Sequence, residues 1–165
     1  MLALETKNCD YEPDGILQQL TIPKPLTALG EPIFRTLILT QPNITPEEIA
    51  DFIALPWLAN LKKLLIRGRC YNGPAHNKIL DCKVVLRALE DHIPRLECFE
   101  WSGQQHYGVT DAFNTFQDLR YLRELHIDAN MIWSSEAYGP SARLKNVYPA
   151  SLRSLHLDSI LLEFV

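Results

Sequence analysis

Leu122, Leu125, Ile127, Asn130 and Ile132 fall at the spacing Leu-x-x-Leu-x-Leu-x-x-Asn-x-Leu, and the same spacing returns along most of the chain. Leu152, Leu155, Leu157 and Leu162 fill it with Ile160 at the Asn position. Phe34, Leu37, Leu39 and Ile44 fill it with Pro42 there, and Leu61, Leu64, Ile66 and Tyr71 with Arg69. Leu96, Phe99 and Trp101 keep only the first half, and Leu2, Leu4 and Cys9 form a stub without the leading residue. The central apolar residues are Leu2, Leu37, Leu64, Phe99, Leu125 and Leu155, at intervals of 35, 27, 35, 26 and 30 residues. A string that returns at such intervals marks a chain of stacked units, none of which can bury its apolar side alone.

Composition agrees. Leu occurs 26 times against 13 Ile and 5 Val, although β-branched residues are the ones sheets usually recruit. In a strand, alternate residues face the same way, so both apolar residues of Leu-x-Leu point to one side. A γ-branched side chain there reaches a second layer, and burying each one stabilises the fold by about 1.5–3 kcal/mol.

The segments between the strings supply that second layer. Thr45 is placed as an N-cap, Pro46 at the first helical position and Glu48 where it closes a capping box, with Ile49, Phe52 and Ile53 on one face. Residues 81–93 predict the best helix: Asp81 caps it, Val85, Leu86, Leu89 and Ile93 line one side, and Pro94 stops it. Shorter helices are predicted over residues 14–20, using Ile16, Leu17 and Leu20, and over residues 110–116, using Phe113 and Phe116. Residues 133–148, with Gly139-Pro140, and residues 70–80, with Gly73-Pro74 and His76, read as loops.

Strand alternating with helix predicts an α/β fold with parallel strands and right-handed crossovers. The expected architecture is a right-handed solenoid of about five to six irregular repeats, with parallel strands on a concave face and helices and loops on a convex one. It forms a single domain over residues 1–165. Met1-Leu2-Ala3-Leu4 and Ile160-Leu161-Leu162-Glu163-Phe164-Val165 are apolar, so incomplete terminal caps are expected.

The remaining composition narrows the function. There are 16 basic and 20 acidic residues, a net charge of −4 and no basic run, which argues against a nucleic-acid surface. No apolar stretch is long enough to span a membrane, and Leu2 and Leu4 run into Glu5 without a signal-peptide core, so a cytoplasmic or nuclear location is expected. Cys9, Cys70, Cys82 and Cys98 form no CxxC pair and have no His at zinc-ligand spacing. No GxGxxG, P-loop, GxSxG or HExxH string occurs. The expectation is therefore a protein without enzymatic activity, cofactor or metal.

The strings at residues 122–132, 152–162 and 61–71, with their Leu-His-Ile-Asp and Leu-His-Leu-Asp segments, resemble the leucine-rich-repeat proteins. Among these, they look like the irregular repeats of fungal F-box proteins. The resemblance covers nearly the whole chain, from Leu2 to Leu162. It implies a protein-protein interaction module, or more narrowly the substrate-recruiting part of a ubiquitin ligase adaptor. Leu55-Pro56-Trp57-Leu58 resembles an F-box opening but runs directly into the string at residues 61–71, so ligase components are expected partners only if an F-box lies outside this chain.

Strand alternation lets the concave face be written out. Thr36, Lys63, Cys98, Glu124 and Ser154 precede the central residues. Ile38, Leu65, Glu100, His126 and His156 follow them, and Thr40, Arg67, Ser102, Asp128 and Asp158 come next. The partner-binding set expected from these rows is Ile38, Lys63, Leu65, Arg67, Glu100, Glu124, His126, Asp128, His156 and Asp158, an apolar and basic start grading into an acidic, imidazole-bearing end. The competing reading is a solvated face whose charges serve solubility alone. Leu65 and Ile38 form either a small apolar hot spot beside Arg67 or a patch covered by a neighbouring loop.

Asp128 and Asp158 are expected about 4.8 Å apart on neighbouring strands, a repulsion that a basic partner group would relieve. A metal-dependent hydrolase using His126, Asp128, His156 and Asp158 is the alternative from another class. Against it, successive outward residues lie about 6.6 Å apart, long for metal bonds of about 2.1 Å. Trp101 is expected in the core, Trp57 and Trp133 in connecting segments, and Asn130 bonded to the backbone of adjacent turns.

Overall fold

A computed structural model of the protein describes residues 2–5, 34–40, 45–68, 79–102, 108–113, 115–132 and 147–158. The chain order is β1 (Leu2–Glu5), β2 (Thr36–Thr40), α1 (Pro46–Ile53), a 3-10 turn (Pro56–Leu58), β3 (Lys63–Arg67), β4 (Ile79–Asp81), α2 (Cys82–His92), β5 (Cys98–Ser102), β6 (Gly108–Asp111), β7 (Glu124–Asp128), a 3-10 turn (Ala129–Met131) and β8 (Ser154–Asp158). The fold is α/β. Six strands form one sheet in the order β1-β2-β3-β5-β7-β8, and β4 pairs with β6 in a second.

Every pairing in both sheets is parallel. In the six-stranded sheet Leu2, Leu37, Leu64, Phe99, Leu125 and Leu155 stand opposite one another as successive Cα partners. The register follows from burial, because a slip of one residue would turn each Leu-x-Leu pair out to the other face. Leu37, Leu64, Phe99 and Trp101 are fully buried, as are Ile66 and Ile127, in one cluster with Ile49 and Ile53 of α1 and Val85 and Leu89 of α2. The helices therefore cover one face of the sheet, and α1 packs on α2.

A backbone device repeats at the starts of β3, β5, β7 and β8. The carbonyl of Arg35 accepts from the N–H groups of Lys62 and Lys63, and that of Lys62 from Glu97 and Cys98. The carbonyl of Glu97 accepts from Arg123 and Glu124, and that of Arg123 from Arg153 and Ser154, all at 2.8–3.1 Å. One residue earlier, the N–H groups of Leu61, Leu96, Leu122 and Leu152 close turns onto the carbonyls of Leu58, Ile93, Leu119 and Pro149. Those four acceptor residues are all buried, so each of these four units has a further apolar anchor three residues before its leading leucine. Gly68, at φ 99°, ends β3 in the left-handed region open to glycine, and its N–H donates to Ser102 O at 3.0 Å.

Both long connections fold as their caps dictate. Thr45 Oγ1 accepts from the Glu48 N–H and Glu48 Oε2 accepts from the Thr45 N–H, closing the capping box of α1. Asp81 Oδ1 accepts from the N–H groups of Lys83 and Val84 at the start of α2. Leu55-Pro56-Trp57-Leu58 belongs to the 3-10 turn that leads into β3, with Trp57 edge-on to Phe34 and Phe52.

The helix expected over residues 110–116 is not formed. Gly108–Asp111 is strand β6, and the N–H groups of Phe113 and Phe116 donate to Met131 O and Val147 O. Those long-range bonds remove the donors a helix would need. The two rings instead complete an aromatic cluster with Phe99 and Trp101 at centroid separations of 5.0–6.5 Å. Ile79 and Leu80 belong to strand β4 rather than to a loop. The segments at residues 14–20, 69–78 and 133–146 lie outside the described residues, as does the side chain of Asn130.

Candidate functional site

The sheet face opposite the helices carries the rows derived from strand alternation. Burial alternates along β2, β3 and β5: in β3, Leu64 and Ile66 are buried while Lys63 and Arg67 are exposed and Leu65 is half-buried. Ile38 and Leu65 are Cα partners and both half-buried, so the apolar pair lies side by side at the β2–β3 end.

From β3 onward the face is polar and its side chains are linked across strands. Arg67 Nε and Nη2 donate to Glu100 Oε1 and Oε2 at 2.7 and 3.0 Å. The bond to Glu100 raises the guanidinium's pKa against a smaller opposing effect of burial, so its charge is permanent. Ser102 Oγ donates to Glu100 Oε1 at 3.5 Å, and His126 Nδ1 lies 3.9 Å from the same oxygen. His126 Nε2 lies 2.7 Å from Asp158 Oδ2, and His156 Nε2 lies 3.0 Å from Asp158 Oδ1. Two hydrogen-bonded groups, Arg67–Glu100–Ser102 across β3 and β5 and His126–Asp158–His156 across β7 and β8, thus adjoin one another where His126 approaches Glu100.

Asp158 sits under opposing influences. Partial burial pushes its carboxyl upward, but hydrogen bonds and charge from His126 and then His156 outweigh that and hold it below the usual carboxylate value. Beside these groups, Lys63 Nζ lies 3.9 Å from Glu124 Oε2 across the intervening strand that carries Cys98. Burial, with Glu124 adding to it, pushes the Cys98 thiol up to about 11, so it is protonated at neutral pH.

Nine of the ten residues expected on this face are there: Ile38, Lys63, Leu65, Arg67, Glu100, Glu124, His126, His156 and Asp158. Asp128 holds its place in the register, as the Cα partner of Asp158, but is not exposed: its side chain is fully buried. The chain leaves the strand there, and Asp128 is the cap residue of the Ala129–Met131 turn. The expected pair of exposed, mutually repelling carboxylates is therefore not formed, nor is the open quartet of His126, Asp128, His156 and Asp158.

The spacing argument against a shared coordination sphere, that successive outward residues of a strand lie too far apart, also fails: His156 and Asp158 on β8 meet at 3.0 Å. The His126 and His156 ring centroids are 4.3 Å apart, and one donor atom each from His126, His156 and Asp158 lie within 4.8 Å of one another. Long side chains lean across the backbone spacing and converge. Ser102, omitted from the expected set, joins the site through Glu100; its position in the same row as Arg67 was the available signal.

Leu155, on β8 at the edge of the described sheet order, is 38% exposed, unlike its central counterparts on the other strands with described side chains. Among the described residues no helix is long and apolar enough to cross a membrane. No family model matches this chain, and neither a curated protein nor a solved structure matches it.

Proposed function

We propose that the chain is a leucine-rich-repeat solenoid, as its strings imply, and a non-enzymatic module that binds a protein partner on the concave face of its parallel sheet. The observation that carries this is the ordered strip on that face. The apolar pair Ile38 and Leu65 adjoins five charged or ionisable groups in two hydrogen-bonded sets, Arg67–Glu100 and His126–Asp158–His156. Side chains held by one another lose little freedom when a partner docks, and a fixed arrangement of basic, acidic and imidazole groups rejects partners of the wrong pattern. The apolar pair supplies desolvated contact at one end.

The partner is a protein segment with an apolar anchor for Ile38 and Leu65 and polar groups for the adjoining side chains. We place the module in the reducing cytoplasm or nucleus, which suits the unbridged thiol of Cys98. A ligase-adaptor role is the narrower form of this proposal and requires an F-box segment to accompany these repeats.

The test is affinity capture with the intact chain and with two variants on this face, Leu65→Glu and Arg67→Glu. Proteins retained by the wild type and lost from both variants, with circular dichroism unchanged, support the proposal. An identical set retained by all three chains overturns it.

A further inference from the structure

We propose that His126, His156 and Asp158 form a binding site for a divalent transition metal of the zinc class. His156 and Asp158 are two residues apart on β8 and so share a face, and His126 is the Cα partner of His156 on β7. One ring nitrogen from each imidazole and a carboxylate oxygen come within 4.8 Å of one another, and both Nε2 atoms lie against the Asp158 carboxylate, at 2.7 and 3.0 Å. Zinc bonds of about 2.0–2.2 Å in tetrahedral geometry set donors roughly 3.4 Å apart. The hydrogen-bonded distances of 2.7 and 3.0 Å open to that value with small side-chain rotations.

A second feature favours the same atoms. Ligating imidazoles commonly direct their other nitrogen toward a carboxylate, which fixes the tautomer that leaves Nε2 free to coordinate. His126 turns Nδ1 toward Glu100 Oε1 at 3.9 Å, and Arg67 and Ser102 hold that carboxylate in place. His156 is 66% exposed at its side chain, so the ion is reached from solvent and a water completes its coordination. Two imidazoles and one carboxylate suit zinc, nickel, cobalt or copper. They do not suit calcium or magnesium, which take mostly oxygen donors. Coordination requires Nε2 without its proton, so any proton shared there with Asp158 passes to solvent or to Nδ1.

The site rests on the geometry of these three side chains and is independent of whether a protein docks on the face. Its test uses the intact chain, stripped with a chelator and titrated with zinc chloride against a chromophoric zinc indicator. The expected result is a zinc site that weakens at least tenfold in His126→Ala, in His156→Ala and in the near-isosteric Asp158→Asn. It is unchanged in His92→Ala, which alters an exposed imidazole at the end of α2, and is not displaced by excess magnesium. Equal zinc affinity in the wild type and Asp158→Asn, with both folded by circular dichroism, would overturn the proposal. So would the absence of competition with the indicator by the wild type.

Discussion

Arg67 and Glu100 face one another on adjacent strands in a two-pronged pair, guanidinium to carboxylate at 2.7 and 3.0 Å. Glu100 is mostly covered, with 12% of its side chain exposed, whereas Arg67 keeps 51%. Water therefore screens the pair from one side, and its coupling belongs near the upper end of the range for surface pairs, about 0.5–1 kcal/mol. A double-mutant cycle with Arg67→Ala and Glu100→Ala, read by urea denaturation, is expected to return that coupling and to shrink in high salt.

Acid should loosen the β7–β8 end. The carboxyl of Asp158 is lower in the folded chain than in the unfolded one, where about 3.9 applies. Its stabilising contribution is therefore complete above that unfolded value and is lost as pH falls through the lower folded one. Urea midpoints measured between pH 6 and pH 3 in the presence of a chelator should fall for the wild type. They should fall less for Asp158→Asn, which has no carboxylate to protonate.

Much of the scaffold was legible because burial and periodicity act together. Leu37, Leu64, Phe99 and Leu125 were aligned by a string whose alternate residues can only be buried on one face, and that constraint is strong enough to set register. The caps at Thr45 and Asp81 were legible because they satisfy N–H groups within three residues, a purely local requirement. Phe113 and Phe116 have helical spacing, but distant carbonyls at Met131 and Val147 took their backbone donors, and no local pattern reveals that. The exposure expected of Asp128 does not hold for a related reason: strand alternation assigns a residue to a face but not what covers it, and Asp128 is fully buried at the end of β7 where the chain turns. The convergence of His126, His156 and Asp158 was missed because backbone spacing was taken as side-chain spacing. The buried anchor at Leu58, Ile93, Leu119 and Pro149 was present in the sequence at constant offset, with mixed residue types that hid it.

Phe99 takes the place that Leu holds in the other units, and its ring is fully buried against Trp101, Phe113 and Phe116. Truncation leaves a cavity that these large neighbours cannot close. Phe99→Ala should cost roughly 3–5 kcal/mol, and Phe99→Leu, which restores the usual residue, should cost less. Chemical denaturation with unchanged m-value would check both.

Cys98 should react slowly despite its partial exposure. Its thiol is raised from 9.0 to about 11 by burial and then by Glu124, so its thiolate fraction at neutral pH is on the order of a hundredfold below that of an ordinary cysteine. Alkylation by iodoacetamide, followed by peptide mass spectrometry, should be correspondingly slow at Cys98. It should quicken in Glu124→Gln, which removes the neighbouring charge.

The register of the parallel strands underlies the face, the charged groups and the triad alike, and a disulfide measures it directly. Glu124 and Ser154 are Cα partners on β7 and β8 and both are exposed. In a Cys98→Ser background, Glu124→Cys with Ser154→Cys places two thiols on directly opposed residues, about 4.8 Å apart at Cα and within the span of a disulfide. Glu124→Cys with His156→Cys lies roughly 8 Å apart, beyond that span. Mild oxidation and peptide mapping should find the 124–154 link formed readily and the 124–156 link not. Preferential linking of 124 to 156, or no link in either chain, would contradict the account.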